Sequence, residues 1–118
     1  MKEDQLQKAV ARVLDHSGLT WCHVPNGGNR SAITGANLKA MGAKAGVPDV
    51  LIFSDTSQPG NYCHGLAIEL KVGKNKPTLT QIEWRDKLTK CGWRWECCYT
   101  LDEVISLLRE CFPKKFGP

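Results

Sequence analysis

The chain has 118 residues, enough for one compact domain and too few for two ordinary ones. Hydrophobic residues make up 42% and charged residues 24%, a globular balance that argues against disorder except at the ends. The formal net charge of +4 is compatible with a polyanionic partner without requiring one, and no apolar run approaches the ~20 residues that would span a bilayer.

Leu6, Val10, Val13 and Leu14 recur at helical spacing as one apolar stripe, so the chain opens with a helix that Gly18 stops. Glu3 and Gln7 lie four apart near its start, on or beside the inward face. Thr20 to Val24 is a short strand, broken by the turn residues Pro25-Asn26-Gly27-Gly28-Asn29. Residues 30–46 are small, basic and rich in Gly and Ala. They read mainly as a long loop, with one short helix around Asn37 to Met41. Val47 to Phe53 is a strand with Pro48 at its start, where proline is tolerated. Leu66 to Val72 is the most regular strand: Leu66, Ile68, Leu70 and Val72 point one way, Ala67, Glu69 and Lys71 the other. After the basic loop Gly73 to Pro77, Thr80 and Glu83 fit a capping box for a helix that Gly92 ends. Trp93 to Tyr99 is an aromatic strand, and Thr100 with Glu103 opens the last helix. These elements make a mixed α/β domain over residues 1–112, a central sheet flanked by helices. Residues 113–118 read as a loose basic tail.

Six cysteines would suit disulfides in a secreted chain, but the N-terminus shows no apolar signal segment. No C-x-x-C pair occurs, so the usual zinc spacing is missing. The cysteines are expected as reduced thiols in a cytoplasmic protein. A zinc-stabilised interaction domain would have to rest on Cys63, His64 and the Cys97-Cys98 pair.

The chemistry concentrates elsewhere. Asp49 stands near the start of one strand. Glu69 and Lys71 lie two apart on the next, so they share a face roughly 7 Å apart along the strand. Charges on apolar strands are costly to bury unless they are paired or bind metal. Two acids on neighbouring strands suit Mg²⁺, which prefers carboxylate oxygens. A lysine beside them can orient or help deprotonate a water. The carbonyl of Leu70, between the two charges, is a natural extra oxygen ligand. E-x-K alone fits an ion pair on a solvated sheet face equally well; Pro-Asp followed twenty residues later by E-x-K is the stronger signal.

Gly46-Val47-Pro48-Asp49, then Ala67-Ile68-Glu69-Leu70-Lys71, then Thr80-Gln81 leading a helix, resembles the PD-(D/E)XK nuclease superfamily. More narrowly, the chain resembles the VRR-NUC family of virus-type replication and repair nucleases, from about Glu3 to Leu108. The resemblance implies a single restriction-endonuclease-like α/β domain and Mg²⁺- or Mn²⁺-dependent phosphodiester hydrolysis. It makes Asp49 and Glu69 metal ligands and Lys71 the catalytic lysine. Gln81 matches the family's helix glutamine and Glu3 the acid of its first helix. Relatives of this size look like phage or bacterial proteins acting as homodimers on branched DNA, including four-way junctions, in the cytoplasm of the bacterial or infected cell. Val47 departs slightly from the family's residue before Pro-Asp.

Basic residues flank the motif strands. Lys39 and Lys44 precede Asp49, Lys74 and Lys76 follow Lys71, and Arg30 sits beside the turn containing Asn26. As a set they are expected to track a DNA backbone, which supplies affinity rather than sequence readout. Trp21, Trp84, Trp93 and Trp95 are expected in the core rather than as base-stacking groups. The competing reading of the whole chain is a DNA-binding or assembly module that kept the fold and lost the chemistry.

Overall fold

The computed structural model describes residues 1–25, 32–57 and 62–117. Helix α1 (Glu3–Asp15) starts where the Gln5 side-chain oxygen accepts the Lys2 N–H at 2.9 Å. Its stripe is buried as Leu6, Ala9, Val10 and Leu14. Strand β1 (Trp21–His23) is followed by α2 (Ala32–Ala40), then β2 (Val50–Ile52), β3 (Leu66–Leu70), α3 (Leu79–Lys90), β4 (Arg94–Cys98), α4 (Leu101–Cys111) and the short α5 (Pro113–Phe116). Among the described residues no helix is long and apolar enough to cross a membrane.

The four strands form one mixed sheet in the order β1-β2-β3-β4. The first two pairings are antiparallel and β3 runs parallel to β4. Helices α1 and α4 cover one face, where Leu6, Leu14, Ile68, Leu70, Val104 and Leu108 join a single core. Each such fully buried side chain contributes about 1.5–3 kcal/mol. Helix α3 lies over the other face, with the Arg85 guanidinium 5.9 Å from the centre of the Trp95 ring. No residue of α3 is fully buried. All five residues of β3 are, so the strand is covered on both sides.

Three expectations need correcting. Residues 32–40 form a helix rather than mostly loop. Ala, Leu and Lys supply its propensity, but its small residues leave no apolar stripe that would mark it in sequence. Helix α3 is capped by Thr78 and Gln81, not by Thr80 and Glu83: Thr78 Oγ1 accepts the Gln81 N–H, and Gln81 Oε1 accepts the Thr78 N–H at 2.8 Å. Pro77 sits just before this cap, so the helix begins as soon as the chain leaves the proline. Finally, residues 113–116 are helical, with Phe112 buried and Phe116 packed against the core, so the basic tail is anchored by aromatic contacts.

The loop before Asp49 is held tightly against α3. The Trp84 indole N–H donates to the Ala45 carbonyl at 2.9 Å. Gly46 has φ +86, and a Cβ there would lie 2.7 Å from the backbone of Thr80. Only glycine permits both the backbone angle and the approach. Gly46→Ala should therefore cost about 1–3 kcal/mol, read as a shift of the denaturation midpoint in urea. An unchanged midpoint would show that the loop has room to relax.

Candidate active site

The register of the sheet assembles the site. Val50 pairs with Ile68 in the antiparallel ladder, so Asp49, one residue earlier, falls opposite Glu69. Asp49 Oδ2 accepts the Leu70 N–H at 2.8 Å, which locks the carboxylate against β3. The Asp49 carbonyl accepts the Val24 N–H at 3.0 Å and His23 Nδ1–H at 2.7 Å, tying the acid to the end of β1 as well. Lys71 continues the ladder past β3 by donating its N–H to Cys98 at 3.0 Å, and so shares the Glu69 face. Its Nζ stands 3.9 Å from Glu69 Oε1.

This face is not solvated. Glu69 is 2% exposed and Lys71 9%. Burial, and then the negative charge of Asp49, push the Glu69 carboxyl up to about 8, against the opposing pull of Lys71. Asp49 is also raised, chiefly by burial, although the Leu70 N–H and the His23 and Lys71 charges work the other way. Near neutral pH Glu69 therefore keeps its proton beside the like charge of Asp49. Glu69 Oε2 is buried and has no hydrogen-bond partner among the described residues.

A cleft of about 360 Å³ opens onto Asp49 and the Leu70 backbone, with Glu69 buried behind it; its lining includes Glu3, Gln7 and His23. The donor set fits a divalent oxygen-seeking cation: two carboxylates facing each other, one with an orphaned oxygen, and the Leu70 backbone beside them. The N–H and C=O of a strand residue leave from the same side, so the Leu70 carbonyl also faces β2. Among the described residues no three His, Cys, Asp or Glu side chains converge as a ready ligand cluster. A cation at this site would have Asp49 and Glu69 as its paired acids, with Glu3 on the cleft lining. The zinc alternative finds no ligand set: among the described residues no three of Cys63, His64, Cys97 and Cys98 converge as a metal-holding group.

The other sequence candidates are placed as follows. Gln81 does not line the cleft, because its amide oxygen closes the α3 cap. Lys39, Lys44, Lys74 and Lys76 are all exposed. They lie on segments that lead into Asp49 or away from Lys71, at the end of the sheet that carries the acids. Asn26 and Arg30 lie outside the described residues. The tryptophans are all partly buried; Trp21 packs on the core and Trp93 stacks edge-on against Phe53 at 5.5 Å. Sequence reasoning missed His23, whose link to Asp49 depends on the β1–β2 register, and saw Gln7 only as a helix position.

The raised Glu69 carboxyl fixes a pH dependence. Unfolded, it titrates near 4.5; folded, near 8. Between these values the folded chain holds the extra proton, so stability falls as pH rises. In chelator, the free energy of unfolding should decline from about pH 4.5 to about pH 8, and Glu69→Gln should flatten that decline. Stability that stays level or rises across this range would contradict the assignment.

Comparison with known proteins agrees with this geometry. A sequence profile of the VRR-NUC domain matches residues 1–101. A solved structure described as a VRR_NUC domain protein superposes with a TM-score of 0.71 at 27% identity, covering 94% of this chain and 88% of that one. No curated protein matches the chain. The matched span takes in α1, the Asp49 turn, β3 and α3, and on that ground the chain belongs to the VRR-NUC family and has its nuclease-type fold.

Proposed function

We propose that the protein is an Mg²⁺- or Mn²⁺-dependent DNA endonuclease selective for branched DNA, a junction resolvase acting as a homodimer. The observation that carries the reading is the buried Glu69, opposite Asp49 and beside Lys71, with one carboxylate oxygen left without a partner. Asp49, Glu69 and the Leu70 carbonyl would hold the cation. When bound, such an ion supplies Lewis-acid polarisation of the scissile phosphate and makes an attacking water more acidic. Lys71 Nζ, freed from its ion pair with Glu69, orients that water toward phosphorus. The water oxygen would form the new bond to phosphorus and give up a proton to solvent, while the bond to the departing sugar oxygen breaks and that oxygen takes up a proton from solvent.

The fold supports a polyanionic substrate in the same place. Lys39, Lys44, Lys74 and Lys76 are exposed around the acid-bearing end of the sheet, where they suit phosphates on either side of the cut. Two symmetric cuts in a four-way junction need two copies of the site, which is why a twofold dimer is part of the proposal. The second reading, a DNA-binding module without chemistry, gains from the placement of Gln81 in the helix cap. The enzyme reading therefore rests on Asp49, Glu69 and Lys71.

The test is cleavage of labelled four-way-junction DNA beside matched linear duplex, with Mn²⁺, with Mg²⁺ and in chelator. Junction cleavage should need the metal and fall about 10²–10⁴-fold in Lys71→Ala. Equal cutting of both substrates would keep the nuclease and remove the resolvase. Tight binding with no cutting under either metal would establish the module instead.

A further inference from the structure

Three buried polar atoms without partners belong to residues around one site. Beside Glu69 Oε2, both amide atoms of Gln7, Oε1 and Nε2, are buried and unpartnered among the described residues. Gln7 lines the catalytic cleft together with Glu3 and Asp49. It stands one helical turn after Glu3 on α1, so the two side chains lie on the same face of the helix. Leaving a buried amide unmet costs about 1–3 kcal/mol for each group, and buried polar atoms in folded proteins are almost always satisfied by protein, water or ligand. Gln7 is not part of the apolar core, so core packing gives no reason for an amide here. The cleft, by contrast, offers Gln7 a polar neighbour: the carboxylate pair and whatever binds it.

We propose that Gln7 is a positioning residue of the cation site, its side-chain amide hydrogen-bonding the hydration shell of the ion held by Asp49 and Glu69. The inference rests on the reading of those two acids as cation ligands. Mg²⁺ and Mn²⁺ sites that use few protein ligands keep much of their water, and a group with both a donor and an acceptor can fix two positions of that shell at once. Glu3, one turn earlier on α1, lines the same cleft. Gln7 would thus extend the site from the sheet to α1 and complete a donor set that the two carboxylates leave short.

Mn²⁺ binding to the protein, followed by calorimetry or by electron paramagnetic resonance, tests this without any need for turnover. Gln7→Leu keeps the bulk and removes the amide; it should weaken Mn²⁺ binding about 10–100-fold. The same variant should melt at the wild-type temperature or above in chelator, because it removes two unmet buried atoms. Gln7→Glu keeps an oxygen in place and should retain the affinity. If Gln7→Leu binds Mn²⁺ as tightly as the wild type, while Asp49→Asn loses it, Gln7 has no part in the site and the carboxylate pair stands. A Gln7→Leu protein that melts lower in chelator and binds weakly would assign the amide a structural role and overturn the proposal. A wild-type protein that binds no Mn²⁺ at all would remove the cation site and Gln7's role with it.

Discussion

A carboxyl buried in the middle of an apolar strand is the constraint from which the site follows. Glu69 is on β3, which is covered on both faces, so its charge has no access to bulk water. Three neighbours set its state: Asp49 across the antiparallel ladder, whose charge opposes ionisation, Lys71 two residues on, which favours it, and a proton held to about pH 8. Each comes from a different level of structure. Asp49 is placed by the β2–β3 register, Lys71 by strand alternation, and the proton by low dielectric beside a like charge. A cation entering between the two acids would replace that proton, which links metal binding to pH.

The loop ahead of Asp49 shows how the scaffold holds the arrangement. Gly46 passes within a Cβ's reach of Thr80, and Ala45 accepts from Trp84, so the first turn of α3 braces the residues that lead into Asp49. On the other side His23 and Val24 both donate to the Asp49 carbonyl. The acid is therefore fixed at its main chain from β1 and at its side chain from β3. This places the chemistry on rigid elements, which precise positioning requires.

Much of this was legible in sequence, and for a physical reason. Period-two alternation put Glu69 and Lys71 on one face, and helical spacing identified the buried stripe of α1; both are local patterns. The motif order Pro48-Asp49, then Glu69-Leu70-Lys71, carried the family resemblance that the profile match bears out. What stayed hidden needed tertiary information. α2 has no apolar stripe because its residues are small. The α3 cap lies two residues earlier than Thr80, since Thr78 and Gln81 offer the same chemistry as Thr80 and Glu83 and only the backbone angles choose between them. Phe116 anchors what composition alone suggests is a loose end. His23 reaches Asp49 through strand register, and Gln7 declares itself only through its lack of a partner among the described residues.

The central claim is that the proton Glu69 keeps beside Asp49 is the one a divalent cation would displace at the proposed site. Calorimetric titration with Mn²⁺ at about pH 6.5, repeated in buffers of different ionisation enthalpy, counts the protons released as the ion binds. The account predicts release of roughly one proton per ion, since the Glu69 carboxyl is raised well above that pH and metal ligation requires the ionised form; Glu69→Gln should abolish that release. Tight binding with no proton release would contradict it, because the cation would then be held somewhere other than between these two carboxyls.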